Sequence, residues 1–355
     1  MEFVYKFPAV KGTQANRDYY ISMVPQKLLP KLFPDDTEIV QPENRAQRRI
    51  NEQRIPEICE YIISNRSNYV FSAISASIDG EFQFVEIENK SIGILEVSMD
   101  ATFLINDGQH RKAAIEAAMA EDESLGEETI SIVFFRDEGL KNSQQMFTDL
   151  NKHAVKTSNS LSTLYDSRDE LAKATKRVIE NVEFFSLYTD KERDILGKNS
   201  SKLFTLSNIY KANHRIVRKK TVTNSDTLFL IKYWSCVANN IYEWNELLNR
   251  QITKRDLREN YIITLAITIN ALGRLGNYFY ENGSQSMDRI LNDLQTINWL
   301  RSNKDWRFRV MRENGNVMNN EAAIILTCSK IKEYLNIPLS VDEENKELEL
   351  KRGME

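Results

Sequence analysis

Two hydrophobic periods divide this chain. In the first half apolar residues recur at every second position in short runs; in the second they recur every three or four positions over long stretches. Ile50, Ile55, Ile58, Ile62 and Ile63 line one helical face, with Pro56 tolerable only near a first turn. Val70, Ile74 and Ile78 then alternate, Asp79-Gly80 offers a turn, and Phe82 and Phe84 resume the pattern, which predicts a β-hairpin. The runs "IGILEVS", "ATFLI" and "ISIVFF" predict three more strands, and "SQQMFTDLNKHAV" a helix. The stretch ahead of these elements, broken by Pro25, Pro30, Pro34 and Pro42, reads as an N-terminal arm.

Past residue 158 strands are hard to find. "DTLFLIKYWSCVANNIYEWNELLN", "ENYIITLAITINALGRLGNYFYE", "MDRILNDLQTINWL" and "NEAAIILTCSKIKEYLN" are helically periodic, with breaks at Gly315 and Pro338. The tryptophans and most tyrosines here fall at helical spacing among apolar residues, which places them in a core rather than on a base-stacking surface. The expected fold class is α+β: an α+β domain with a mixed sheet over 1–158, an all-helical domain over 159–340 and a frayed acidic tail over 341–355.

Composition narrows the class. With 41% hydrophobic and 28% charged residues the chain supports a core and argues against a membrane protein, and no apolar run has the length of a bilayer span. The start, "MEFVYKFPAV", shows no secretion signal, and Cys59, Cys236 and Cys328 are scattered without a CxxC pair, which points to the cytoplasm and to no structural metal. Cys59, on an apolar helix face, reads as buried filler. The net charge of −4 excludes a generic polycation, so nucleic-acid binding needs a local patch. One exists. From Ile195 to Ser225 there is no Asp or Glu, but there are Lys198, Lys202, Lys211, Arg215, Arg218, Lys219 and Lys220.

The densest chemistry is "INDGQHRKAA", residues 105 to 114, where a strand pattern gives way to a helix pattern. A helix start presents N–H donors and a positive dipole end, which suits phosphate. Gly108 permits close approach or positive φ, Gln109 and His110 add polar groups, and Arg111 offers a guanidinium fork. Asp107 is placed to cap the helix or to hold a metal ion, and Asp107 and His110 are the candidate catalytic pair. The alanines 113, 114, 117 and 118 keep the helix thin enough to lie on a sheet. The same residues also make an ordinary Asp-Gly turn with a solvated His-Arg pair, and chemistry alone does not separate the two.

Three further groups bear on a phosphate site. In "MFTDLNKHAV", Asn151 and Lys152 would complete the pocket if that helix end folds back toward the turn; otherwise it is a plain amphipathic helix end. Arg45, Arg48, Arg49 and Arg54 sit before or on an early helix, and the first three read as a solvated face. In the acid-free run, Arg215, Arg218 and Lys219 share one face if the segment is helical, and with Lys211 and Lys220 they would follow a DNA backbone while Asn213, His214 or Asn224 reach bases.

"INDGQHRKAA", followed by "FFRDEG…QQMFTDLNKHAVKTSNSL" and "INWLRSNKDWRF", resembles the DGQHR-domain family and, within it, the DndB group of DNA sulfur modification proteins. The resemblance implies a ParB/sulfiredoxin-like first domain that holds nucleotide phosphates through a Gly-x-x-Arg turn, matched here by Gly108, His110 and Arg111, and it implies that Arg54, which fits the family's "RI…I…YI" pattern, points toward that pocket. It implies a transcriptional regulator that binds double-stranded promoter DNA of the operon whose enzymes replace a non-bridging phosphate oxygen with sulfur. The alternative it admits is a ParB-like nucleotidase or DNA-nicking enzyme using a nucleotide with a magnesium ion. Other DNA sulfur modification proteins and a second copy of the chain are the further partners it allows.

Overall fold

A computed structural model describes residues 3–34, 51–87, 89–152, 157–198, 200–219, 221–283 and 285–352. The chain divides into two compact units, Met1–Val155 and Lys156–Glu355. The first holds strands β1 (Val4–Gln14), β2 (Arg17–Pro25), β3 (Ile74–Asp79), β4 (Phe82–Ile87), β5 (Asn89–Ser98), β6 (Thr102–Asp107) and β7 (Thr129–Arg136). Its helices are α1 (Leu29–Leu32), α2 (Ile55–Ser64), α3 (Gln109–Glu121) and α4 (Leu140–Lys152). The strands form one mixed sheet in the order β4-β5-β1-β2-β7-β3-β6, antiparallel throughout except for the parallel β3–β7 pair. With the helices that follow, the fold class is α+β.

Two expectations for this unit are corrected. The N-terminal arm is a hairpin at the middle of the sheet: β1 and β2 join through Ala15 and Asn16, both at positive φ, the turn that matches strand twist. The alternation was hidden because the outward face is also apolar, with Val10, Ile21 and Met23 exposed opposite the buried Ala9, Tyr20, Ser22 and Val24. The second correction is the hairpin at Asp79-Gly80. The turn exists, but β4 pairs with β5, and β3 pairs with β6 and β7. In a flat sheet β3 and β4 would lie five strand spacings apart, about 24 Å. The Gly80–Glu81 link spans at most about 11 Å. The sheet therefore coils until its edges approach at that end, and Tyr20 of β2 meets Phe84 of β4 with ring centroids 5.3 Å apart. Phe7, Phe103 and Phe134 fill the enclosed core beside Ile115 and Ala118 of α3, whose small residues allow close packing.

The second unit is helical: α5 (Asn159–Tyr165), α6 (Glu170–Asn181), α7 (Glu183–Tyr188), α8 (Leu206–Val217), α9 (Asn224–Asn240), α10 (Tyr242–Leu248), α11 (Lys254–Asn260), α12 (Ala266–Asn282), α13 (Met287–Leu291), α14 (Glu321–Tyr334) and α15 (Val341–Arg352). One short parallel pair, β8 (Thr189–Asp190) with β9 (Phe204–Thr205), interrupts it. Trp234, Trp244, Trp299 and Trp306 are fully buried, Trp299 stacking on Trp306 at 5.5 Å. Helices α8 and α12 cross closely, and a Cβ on Gly273 would fall 2.6 Å from the Ala212 carbonyl oxygen. The acidic tail is not frayed up to Arg352: it forms α15, whose Glu343 is buried between Lys332 and Arg274. Among the described residues no helix is long and apolar enough to cross a membrane.

Candidate phosphate-binding turn

Strand β6 delivers its last residue, Asp107, opposite Ser75 of β3, and the register slips at the next pair, where Ala76 faces Ile105. Asn106 is thus the extra residue of a β-bulge, a device that re-aims a side chain at the end of a strand. Its amide is buried, donating to Ser77 Oγ at 2.8 Å and toward Met146 Sδ of α4 at 3.2 Å. Gly108 follows at φ +111, a conformation costly for a side chain, and α3 begins at Gln109. A strand-to-helix turn at Gly108 is the geometry expected from the pattern.

The charged groups at the turn are spent on one another. Arg111 Nη2 donates to Asp107 Oδ2 at 2.5 Å, and Nη1 donates to Ser72 Oγ. Asp107 therefore does not cap the helix; it orients Arg111 from one turn away. The guanidinium lies against Gly108, where a Cβ would stand 3.0 Å from Nη2 and 3.1 Å from Nε. This is a second reason for glycine there. His110 Nε2 accepts the Asn51 N–H at 3.0 Å, which brings the 3-10 turn Glu52–Arg54 to the site with the Arg54 side chain exposed. Lys112 is buried and paired with Glu116 at 2.8 Å.

Three buried polar atoms around this turn have no hydrogen-bond partner: Arg111 Nε, Ser75 Oγ and Asn106 Oδ1. Such atoms are few in native proteins and flag a missing ligand or water. Two of the three suit a phosphate group, the buried Nε–H of Arg111 and the Ser75 hydroxyl beside a helix start, whereas Asn106 Oδ1 is an acceptor and does not. The turn does not fit a magnesium ion, since the carboxylate nearest it, Asp107, is taken by Arg111. Among the described residues no group of three or more His, Cys, Asp or Glu is placed to hold a metal.

Helix α4 packs on β6 through Met146, so the "MFTDLNK" segment belongs to this region, but the side chains of Asn151 and Lys152 lie outside the described residues, as do His153 and Arg45, Arg48 and Arg49. Sequence reasoning missed Asn51, Ser72, Ser75 and Asn106. Only Asn106 carried a signal, as a polar residue closing the apolar run "TFLIN". Cys59 is buried, its thiol pushed up by burial and by Glu121.

The basic segment of the second unit is rearranged relative to expectation. Helix α8 ends at Val217, and Arg218 adopts φ +47 as its C-cap, so Arg215, Arg218 and Lys219 share no helical face. Arg215 forks onto Glu321 at 2.6 and 2.7 Å and donates to Asn270. Lys219 pairs at 2.7 Å with Asp226, the residue that closes the α9 capping box with Thr223. Burial opposes ionisation of Asp226, yet Lys219, Tyr280 and Thr223 hold its carboxyl well below the usual range. Asn213 cannot read bases: it is buried, bonded to Thr175 and Trp234. Lys211, His214, Arg218 and, its ion pair notwithstanding, Lys219 are exposed, and Lys220 is outside the described residues.

A family model described as DndB, DNA-sulfur modification-associated, matches residues 7–338, a span that takes in the DGQHR turn and the helices through α14. The chain belongs to the DndB family. Its setting is DNA sulfur modification, and the match ends before α15. No curated protein and no solved structure matches the chain.

Proposed function

We propose that this DndB-family protein is a DNA-binding regulator of a DNA sulfur modification operon, and that its DGQHR turn is a phosphate or nucleotide seat without chemistry of its own. The observation that carries the reading is how the turn's side chains are committed. Arg111 is held against Gly108 by Asp107 and Ser72 with one buried N–H unspent, at a helix start that favours an anion. The two residues a nucleotidase or nickase would draw on, Asp107 and His110, are engaged with Arg111 and with the Asn51 N–H. Binding suits such a site better than turnover.

DNA contacts then fall to the exposed cations of the acid-free segment, Lys211 and Arg218 first, with Arg215 and Lys219 supporting that surface through their internal ion pairs. Double-stranded promoter DNA is the expected ligand. The test is a gel-shift titration of the operon's own promoter against a scrambled duplex over a salt series. Tighter, steeply salt-dependent binding of the promoter is the expected result, because phosphate contacts release counterions. Equal weak binding of both duplexes, together with nucleotide turnover that disappears in His110→Ala, would favour the enzyme instead.

A further inference from the structure

Helix α15 is docked in an unusual way. Its one buried side chain is a carboxylate, Glu343, while Val341 and Leu348 stand 75% and 51% exposed. A surface helix ordinarily buries an apolar stripe. This one is held by charge.

The charges on the other side come from separate elements. Lys332 of α14 donates to Glu343 at 2.8 Å, and Arg274 of α12 donates to Glu343 at 3.0 Å and to Asp342 at 2.8 Å. Arg309 pairs with Glu347 at 2.7 Å. All three cations are largely enclosed, with side-chain exposures of 6%, 13% and 14%. Beside Glu343 a cavity of about 180 Å³ opens, where Arg218, Arg274 and Lys332 outnumber the one other carboxylate in the lining, Glu281. Arg218, the exposed cation at the end of α8, thus adjoins the cations that α15 covers.

An arginine fork and a lysine converging on two carboxylates present the same arrangement that receives phosphate oxygens. We infer that Arg274, Lys332 and Arg218 form a phosphodiester site for DNA, and that α15 occupies it in cis with Glu343 and Asp342 as stand-ins for phosphate. The inference rests on the DNA-binding reading and adds a control to it: the acidic helix is a strap that DNA displaces. Its attachment suits displacement. Few apolar contacts need to be broken, and a polyanion competes directly for the ion pairs. Salt that weakens α15 also weakens DNA, so the two compete at any ionic strength.

The test compares the full chain, a chain ending at Leu339, and a full-length variant carrying Asp342→Asn, Glu343→Gln and Glu347→Gln, each checked for a cooperative thermal melt. A labelled DNA duplex is titrated by fluorescence anisotropy over a salt series. Removing or neutralising the strap should tighten binding about tenfold and steepen the salt slope by about one to two units. Adding Arg274→Gln and Lys332→Gln to the shortened chain should abolish the gain. In the full chain, hydrogen exchange of the α15 amides should accelerate when duplex is added. If the full chain binds duplex while both strap variants match it, or while α15 stays protected, the strap is refuted and the DNA reading stands. If none of the three forms binds duplex, both fall.

Discussion

His110 Nε2 accepts the backbone N–H of Asn51 at 3.0 Å, tying the start of α3 to the entry of α2. The imidazole is thereby a brace between two segments that sequence distance keeps apart. His110→Ala should loosen the Asn51–Arg54 turn, seen as faster amide exchange there. Promoter affinity should change by less than about threefold, under 1 kcal/mol, because His110 and the exposed cations Lys211 and Arg218 belong to different compact units. A tenfold loss in a well-folded variant would make the turn itself the DNA surface.

Arg111 and Gly108 separate binding from stability. Arg111→Lys keeps the charge but loses the fork that reaches Asp107 and Ser72, so calorimetric titration with pyrophosphate should show at least about a tenfold weaker affinity. Gly108→Ala places a Cβ at positive φ and 3.0 Å from Arg111 and Ile74. It should destabilise the first unit by about 1–3 kcal/mol in denaturant melts. An Arg111→Lys protein that binds pyrophosphate like the parent would remove the phosphate role.

Charge reversal at Lys211 and Arg218 should weaken duplex binding uniformly across sequences and lower the salt slope by about one unit per contact. Lys219→Glu should behave differently. It sets a second carboxylate beside Asp226 and attacks the capping box of α9, so its main effect should be a lower melting temperature. Identical, purely DNA-binding phenotypes at all three positions would contradict the distinction.

Asp194 makes the helical unit acid-sensitive. Burial opposes its ionisation, but the N–H groups of Asn159 and Ser160 and the Ser160 hydroxyl draw its carboxyl down to about 2. A folded value below the unfolded one adds stability that is complete above the unfolded value and lost as pH falls through the folded one. The contribution, about 1–2 kcal/mol, should therefore disappear between about pH 4 and pH 2. Urea melts of the parent and of Asp194→Asn should converge as pH drops through that window. Parallel curves would show that Asp194 carries no such linkage.

Local pattern was enough for much of the chain. The alternation up to Ile78 and the runs "IGILEVS", "ATFLI" and "ISIVFF" fall on strands, most of the three-to-four repeats of the second half fall on helices, and Gly108 marks a strand-to-helix turn because each depends on neighbours within a few residues. Pairing was out of reach. Asp79-Gly80 looks like a hairpin turn in any sequence, and only the coiling of the whole sheet decides that β4 joins β5 instead of β3. The central hairpin β1–β2 escaped notice because an apolar outer face erases the two-residue signal that burial on one side would leave.

Charge behaved the same way. The acid-free run from Ile195 to Ser225 is a property of the sequence, and so are Asp107, His110 and Arg111 standing together. What those charges face is not. Glu321 reaches Arg215 across more than a hundred residues, Glu343 lies between Lys332 and Arg274, and Asn51 finds His110. The sequence by itself determined most of the strands and helices between Ile55 and Tyr334 and where basic and acidic side chains accumulate. Only the tertiary structure decided which cations stay exposed and which are neutralised, because an ion pair forms by distance in space and carries no mark in the local order of residues.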